Sequence, residues 1–360
     1  MTSSLFSPFQ IGSLTLDNRI VLSPMCQYAA ADGCATDWHL MHLGQYSQSG
    51  LGLMFTEMTN VEPRGRITAN CMGLYDDRTE SSFKRVIDHC RSISDTPIGV
   101  QLAHAGRKSS SSVAWKGWKQ LAENEGGWET VGPSAISHKP GARPPRELTL
   151  GEIEGLIEKF VRATERAARI GFDAIELHAA HGYLLHQFLS PIANQRDDDY
   201  GGSRENRWRI VLEIFDAVRA IWPRPLGVRL SAIDWLEGGI SIEDTVALAE
   251  LLERRGCDFV DVSTGGISHR EDIAVGPGYQ VPFAERVRAD TGLRTVAVGK
   301  ITEPQQAEAI ISQGQADMVA LARGLLYNPR WPWHAADVLG VEIEYPDRYK
   351  RCSPHYRPPG

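Results

Sequence analysis

Residues 175–209 read IELHAAHGYLLHQFLSPIANQRDDDYGGSRENRWR. The run opens as an apolar strand, sets His178 and His181 three residues apart with Tyr183 two further on, and closes in an Arg/Asn-rich helix start after Ser203. A buried strand feeding a helix is half of a βαβ unit, so the fold depends on how often the pattern recurs. It recurs eight times, in IVLSPM from Ile20, LGLMFTEM from Leu51, IGVQLAH from Ile98, AIELHAA from Ala174, LGVRLSA from Leu226, FVDVSTG from Phe259, TVAVGK from Thr295 and MVALAR from Met318. Each run is apolar on both faces, the habit of a parallel sheet covered on both sides. Helical spacing lies between them. Val211, Ile214, Phe215, Val218 and Trp222 share one face after Ser203, and Ile153, Leu156, Ile157, Phe160 and Val161 do the same after Thr149, a ready N-cap. Eight right-handed units predict a closed (β/α)8 TIM barrel rather than an open sheet, with residues 1–360 as a single domain.

The bulk properties agree. The chain has 360 residues, 42% hydrophobic and 23% charged, with no run of about 18 apolar residues to span a membrane. MTSSLFSPFQ at the start has neither the basic nor the apolar part of a signal peptide. Cys26, Cys34, Cys71, Cys90, Cys257 and Cys352 are scattered without CxxC pairs and read as reduced thiols of a cytoplasmic protein. A net charge of −7 argues against a nucleic-acid surface. One segment breaks the rhythm: residues 105–148, rich in Ser, Trp, Gly and Pro, form an insertion after the third strand and read as a lid over the barrel mouth.

Barrel chemistry belongs at the C-terminal ends of the strands. Those ends carry Ser23, Pro24, Met25 and Cys26, then Glu57, Gln101 with His104, His178 with His181, Arg229, Gly265–Gly266, Gly299–Lys300 and Arg323. Glycines that admit backbone N–H groups, together with arginines, suit a large polar ligand bearing a phosphate. For His178 and His181 three readings compete. A loop pair held by hydrogen bonds is the plain one, a zinc site would need a third ligand, and a pair of N–H donors aimed at one oxygen would stabilise developing negative charge. Tyr183 and Cys26 can each simply pack, and Arg107, Lys108 and Lys300 can be solvated charges. Arg204 and Arg207 would tie the loop to the helix start.

PMCQY after the first strand, VQLAHAGRK after the third, ELHAAHGYLLHQFLSP after the fourth and then DDDYGGSRENRWR resemble the Old Yellow Enzyme family of flavin-dependent ene-reductases, from Leu5 to the tail near Arg351. Cys26 with Tyr28 resembles its thermophilic-like branch. The resemblance implies FMN across the mouth, NADPH as hydride donor with NADH also admissible, and an enone as substrate. Ser23, Pro24, Met25 and Cys26 would line the flavin edge, Gln101 would bond the pyrimidine, and Arg229 would meet the N1/C2 carbonyl side. Gly299, Ala322 and Arg323 would hold the phosphate. Asn60 and Ala322 depart from the pattern: Asn60 stands where a small residue is usual, and Ala322 replaces a common glycine. His178 and His181 would polarise the substrate carbonyl and Tyr183 would supply a proton. Tyr28 and Lys108 would line the substrate space. Tyr349 and Arg351 match a tail whose arginine reaches a neighbouring subunit's mouth, which implies at least a homodimer. Two other classes stay open on the residues alone: a barrel lyase forming a Schiff base on Lys300 or Lys108, and a flavin-binding protein without turnover.

Overall fold

A computed structural model describes residues 3–354, 356 and 357. The chain enters through a hairpin, β1 (Phe9–Ile11) and β2 (Leu14–Leu16), and then forms the barrel strands β3 (Ile20–Leu22), β4 (Leu53–Asn60) and β5 (Ile98–Ala103). After the short parallel pair β6 (Val131–Gly132) and β7 (Arg146–Glu147) come β8 (Ala174–Ala179), β9 (Leu226–Ser231), β10 (Phe259–Ser263), β11 (Arg294–Ala297) and β12 (Met318–Leu321). Strands β3, β4, β5 and β8 to β12 close into one barrel, β12 pairing in parallel with β3. These are the eight expected strands. The first ends at Leu22, before Pro24, whose ring removes the N–H a ladder needs.

The helices that follow the strands include α1 (Asp37–Ser47), α2 (Asp77–Ile93), α3 (Leu150–Ile170), α4 (Leu184–Leu189) and α5 (Arg204–Arg219). Then come α6 (Ile242–Arg254), α7 (Val281–Asp290), α8 (Pro304–Ser312), α9 (Arg323–Tyr327) and α10 (Trp331–Leu339). The cap expected at Thr149 is present, and Ser203 forms a second. Thr149 accepts from the Glu152 N–H and Glu152 returns the bond, and Ser203 accepts from the Asn206 N–H at 3.2 Å. Among the described residues no helix is long and apolar enough to cross a membrane.

Inward-facing residues alternate along each strand, and their chemistry changes with height. At the bottom Phe55 and Phe259 meet at 5.9 Å between ring centres, with Ala174, Val296 and Met318 around them. Phe9, Ile11, Leu14 and Leu16 of the hairpin pack on that cluster and plug the barrel floor. Two residues higher the lining is polar: Gln101, Glu176, Arg229 and Asp261 all face inward. A further step up come His178 and Ser263, at the mouth. A second, larger cluster fills the space between strands and helices.

Residues 105–148 form three single-turn 3-10 helices and the β6/β7 pair rather than a structureless loop. Arg196 ties the segment down, donating to the carbonyls of Pro133 and Leu148 while pairing with Asp198.

Candidate active site

The loop after β8 carries the first group of side chains. His178 is 3% exposed, and its Nε2 lies 3.4 Å from His181 Nδ1, the rings meeting edge to face. His178 Nδ1 has no partner. His181 Nε2 lies 2.7 Å from Ser263 Oγ, which also reaches Gln280 Oε1. Burial holds both imidazoles far below the usual histidine range, with Arg229 adding to the effect, so both are neutral. Tyr183 stands edge-on to His178 at 5.1 Å between centroids, and its hydroxyl makes no hydrogen bond among the described residues. Burial pushes its phenol well up, so it keeps its proton.

The backbone between these groups is strained. His181 has φ 58°, a left-handed conformation unusual for a side-chain-bearing residue. Gly182 follows at φ 71°, and a Cβ there would come within 1.9 Å of the Gly266 carbonyl oxygen, so only glycine fits. Two bonds hold the strain: Ser231 Oγ accepts the His181 N–H at 2.9 Å, and His186 Nδ1 accepts the Gly182 N–H at 2.8 Å. Lys108 adds a third tie, its ammonium donating to the carbonyls of His181 and Gly266. Lys108 is therefore partly a tether, with one face left to the mouth. Lys300 is exposed at the end of the seventh barrel strand. Arg207 holds the loop by donating to the Leu189 and Gly202 carbonyls, whereas Arg204 pairs with Glu205 and lies over Trp208.

The second group lines the barrel axis. Gln101 donates to Glu176 at 2.7 Å, Arg229 Nη1 donates to Ser23 Oγ at 3.2 Å, and Arg229 Nε lies 3.4 Å from Asp261. Burial pushes Glu176 up to about 8, with Asp261 adding and Arg229 opposing, so near neutral pH it is largely the protonated acid. Asp261 is raised by burial as well. The reading of the sequence missed both acids, although a charge inside AIELHAA and FVDVSTG is itself a signal of an inward polar layer.

Cys26 is half-buried beside Tyr28 and Tyr183. A hydrogen bond with Cys71, then burial, keeps its thiol protonated. Tyr28, at φ 53°, meets Trp115 and Trp118 edge to face. Asn60 is fully buried and donates to the Met72 carbonyl, so part of its amide fastens the end of β4 to the neighbouring wall. Gly299 has φ 128°, open to glycine alone. Ala322 is half-buried, and Arg323 beside it is exposed and, among the described residues, engaged in no hydrogen bond or ion pair. Arg351 is exposed on the turn over Asp347–Cys352. That turn borders the residues leading into β4 and β5, on the barrel face opposite the mouth. Among the described residues no group of three His, Cys, Asp or Glu side chains is arranged to hold a metal ion.

A cavity of about 370 Å³ opens above Tyr183, walled by Ser111, Trp118, Gln120 and His138 of the inserted segment.

The profile of the NADH:flavin oxidoreductase / NADH oxidase family matches residues 4–341. The chain is 43% identical over 353 residues to an NADPH dehydrogenase of Geobacillus thermodenitrificans, covering 98% of this chain and 99% of that one. It is 42% identical over 352 residues to an NADPH dehydrogenase of Listeria innocua, covering 97% and 99%. Among solved structures, morphinone reductase superposes with a TM-score of 0.78 at 30% identity, covering 96% of this chain and 92% of that one. Barrel and mouth are those of a flavin-dependent oxidoreductase working with a nicotinamide donor. The chain belongs to the NADH:flavin oxidoreductase / NADH oxidase family, that of Old Yellow Enzyme, and its cofactor is FMN.

Proposed function

We propose that the protein reduces the carbon–carbon double bond of α,β-unsaturated carbonyl compounds at the expense of NADPH, with NADH as a second donor. The spacing of His178 and His181 carries the reading. Their facing nitrogens are 3.4 Å apart, and an oxygen about 2.9 Å from each, the ordinary N–H···O length, closes a triangle on that base. Both must then be donors. Ser263 has one hydroxyl proton, placed on Gln280 Oε1 at 3.2 Å; turned instead to His181 Nε2, it leaves that ring's proton on Nδ1, and a His178 proton on Nε2 completes the pair of donors.

The mouth fits FMN. Gly299 bares its backbone and Arg323 offers a free guanidinium to the phosphate, with Ala322 contributing an N–H between. Gln101, oriented by Glu176, faces the pyrimidine, as does Arg229, whose Nε has no hydrogen-bond partner. Ser23, Pro24, Met25 and Cys26 line the ring edge, and Asn60 borders it. FMN, when bound, supplies the hydride relay from NAD(P)H to the β-carbon of the alkene. His178 and His181 hold the carbonyl oxygen as charge builds on it, and Tyr183, unengaged and protonated, gives its proton to the α-carbon. Tyr28 and Lys108 shape the substrate space, under the inserted segment as a lid. Arg351, far from its own mouth, serves a neighbouring copy, which makes the working unit a homodimer or a pair of dimers.

Reduction of 2-cyclohexenone by NADPH in deuterated water tests the assignment. Tyr183→Phe should slow turnover by about 100-fold and slow α-carbon labelling with it. Labelling at the wild-type rate would give the proton to another donor. Truncation after Tyr345 should raise KM for the enone with flavin content intact. A fully active monomer would remove Arg351 from the site.

A further inference from the structure

The cavity above Tyr183 is lined by Arg107, Lys108, Lys139 and His138, and no carboxylate stands among its described lining residues. Its donors are not all spent. Arg107 is 5% exposed; it gives its two terminal nitrogens to the carbonyls of Ile136 and Ile267, and its Nε has no partner. Lys108 uses two of its three protons, on the His181 and Gly266 carbonyls. Lys139 uses one, on the Trp118 carbonyl. Glu271, the acid that acts on Lys108, is already occupied by the N–H groups of Gly266 and Ser268, and Asp234, which acts on Arg107, by Ser190 and the Ile240 N–H. Trp118 and Ile67 supply apolar wall beside these cations.

Mutual repulsion reports the same field. Burial together with Lys108, Lys139 and Arg107 pulls His138 down to about 3. Burial first, with Arg107 and Lys139 adding and Glu271 opposing, pulls Lys108 down to about 8. A pocket that crowds cations and leaves their donors spare is complementary to an anion.

We propose that this cavity receives a carboxylate carried by the substrate, so that the preferred alkenes bear an anionic group remote from the carbonyl held by His178 and His181. The proposal rests on the ene-reductase reading, since it assigns the far end of the ligand that reading places in the mouth. Tyr183 joins the two ends, lining the cavity and touching His178.

The test uses the FMN-loaded protein and two phenols, 4-methylphenol and 4-hydroxybenzoate, followed by the perturbation of the flavin's visible absorption. Lys139 is the cation to change, because it is only half-buried and holds no position in the reacting centre. Lys139→Gln should weaken 4-hydroxybenzoate by about two- to fivefold, the range for one partly exposed charge, and leave 4-methylphenol unchanged. Lys139→Glu should weaken it further, and raising the salt concentration should weaken the wild type toward the variant. An equal loss for both phenols would mean a disturbed lid, and no loss for either would mean an uncharged subsite. Both outcomes overturn the proposal. A raised KM for NADPH with 4-hydroxybenzoate binding intact would give these cations to the donor's phosphates and overturn it too. If 4-methylphenol does not perturb the flavin of the wild type, the ene-reductase reading fails, and the proposal falls with it.

Discussion

Two sets of buried histidines in this molecule differ in what their nitrogens do. His39, His104 and His186 repeat one device. In each, Nδ1 accepts a backbone N–H of a mouth loop, from Thr36, Gly106 and Gly182 respectively. In each, Nε2 faces a carboxylate: Glu57 at 3.2 Å, Glu62 at 2.8 Å and Asp234 at 2.9 Å. The backbone N–H fixes the tautomer, Nε2 meets the acid in a hydrogen bond at His104 and at ion-pair distance without hydrogen-bond alignment at His39 and His186, and the ring works as a staple between a loop and an acid. His178 and His181 have no such acid. Their nitrogens face each other, a rotating hydroxyl and an empty direction. A histidine set between a loop N–H and a carboxylate holds structure. One whose bonds are incomplete is available for chemistry, and the cost of leaving it so is carried by the staples around it.

The largest effect should come from the incomplete pair. His178→Ala with His181→Ala removes two donors worth up to about 3–4 kcal/mol each against a developing oxyanion. The oxidative half-reaction with an enone should slow by several orders of magnitude while reduction of the flavin by NADPH changes little. Stopped-flow traces with both half-reactions unchanged would place these histidines among the structural ones.

A staple should fail differently. His186→Ala leaves the Asp234 carboxylate, fully buried, without its histidine and strands the Gly182 N–H. Breaking a buried pair on one side costs about 3–5 kcal/mol, so the melting temperature should fall by several degrees and activity should fall with it. Lost activity with an unshifted melting temperature would make His186 a participant in the chemistry instead. Arg323→Ala is milder. On the proposed assignment it would remove one charge-assisted phosphate contact, about 1.5–3 kcal/mol, and should raise the dissociation constant of FMN without altering the apoprotein's stability.

This contrast was only partly legible in the sequence. The strands were, because eight apolar runs at regular spacing have one economical arrangement, and so was the cap at Thr149. His178, His181 and Tyr183 stood out because they end a strand within six residues of one another. The staples did not. Each acid is supplied by a distant segment, so His186 in YLLHQF looks no different from a packed helix residue until Asp234 is brought to it. The hairpin plugging the floor escaped notice because three-residue strands carry too little pattern. Arg196 is a further case. It was passed over for Arg204 and Arg207, yet only the fold shows that its guanidinium reaches the Pro133 and Leu148 carbonyls.

The smallest effect concerns protons, and it counts the incomplete histidines directly. Burial depresses His178 and His181, and also His104, His42 (to about 4) and His138 (to about 3). A histidine held neutral in the folded state but free to charge near pH 6.5 in the unfolded chain adds nothing to the pH dependence above that value. Below it the unfolded chain binds the extra proton, so stability is lost as pH falls, by about 1.4 kcal/mol per pH unit for each such group. The depressed histidines therefore lower the melting temperature between pH 7 and pH 5, while Glu176, whose raised carboxyl holds its proton in the folded state over that window, works the other way as a single group against five. Replacing His178 and His181 together by Gln, which cannot charge, should make that slope shallower than in the wild type. An equal slope in the two proteins would mean that the pair is protonated in the folded enzyme, and that a charged imidazole rather than a neutral donor meets the carbonyl oxygen.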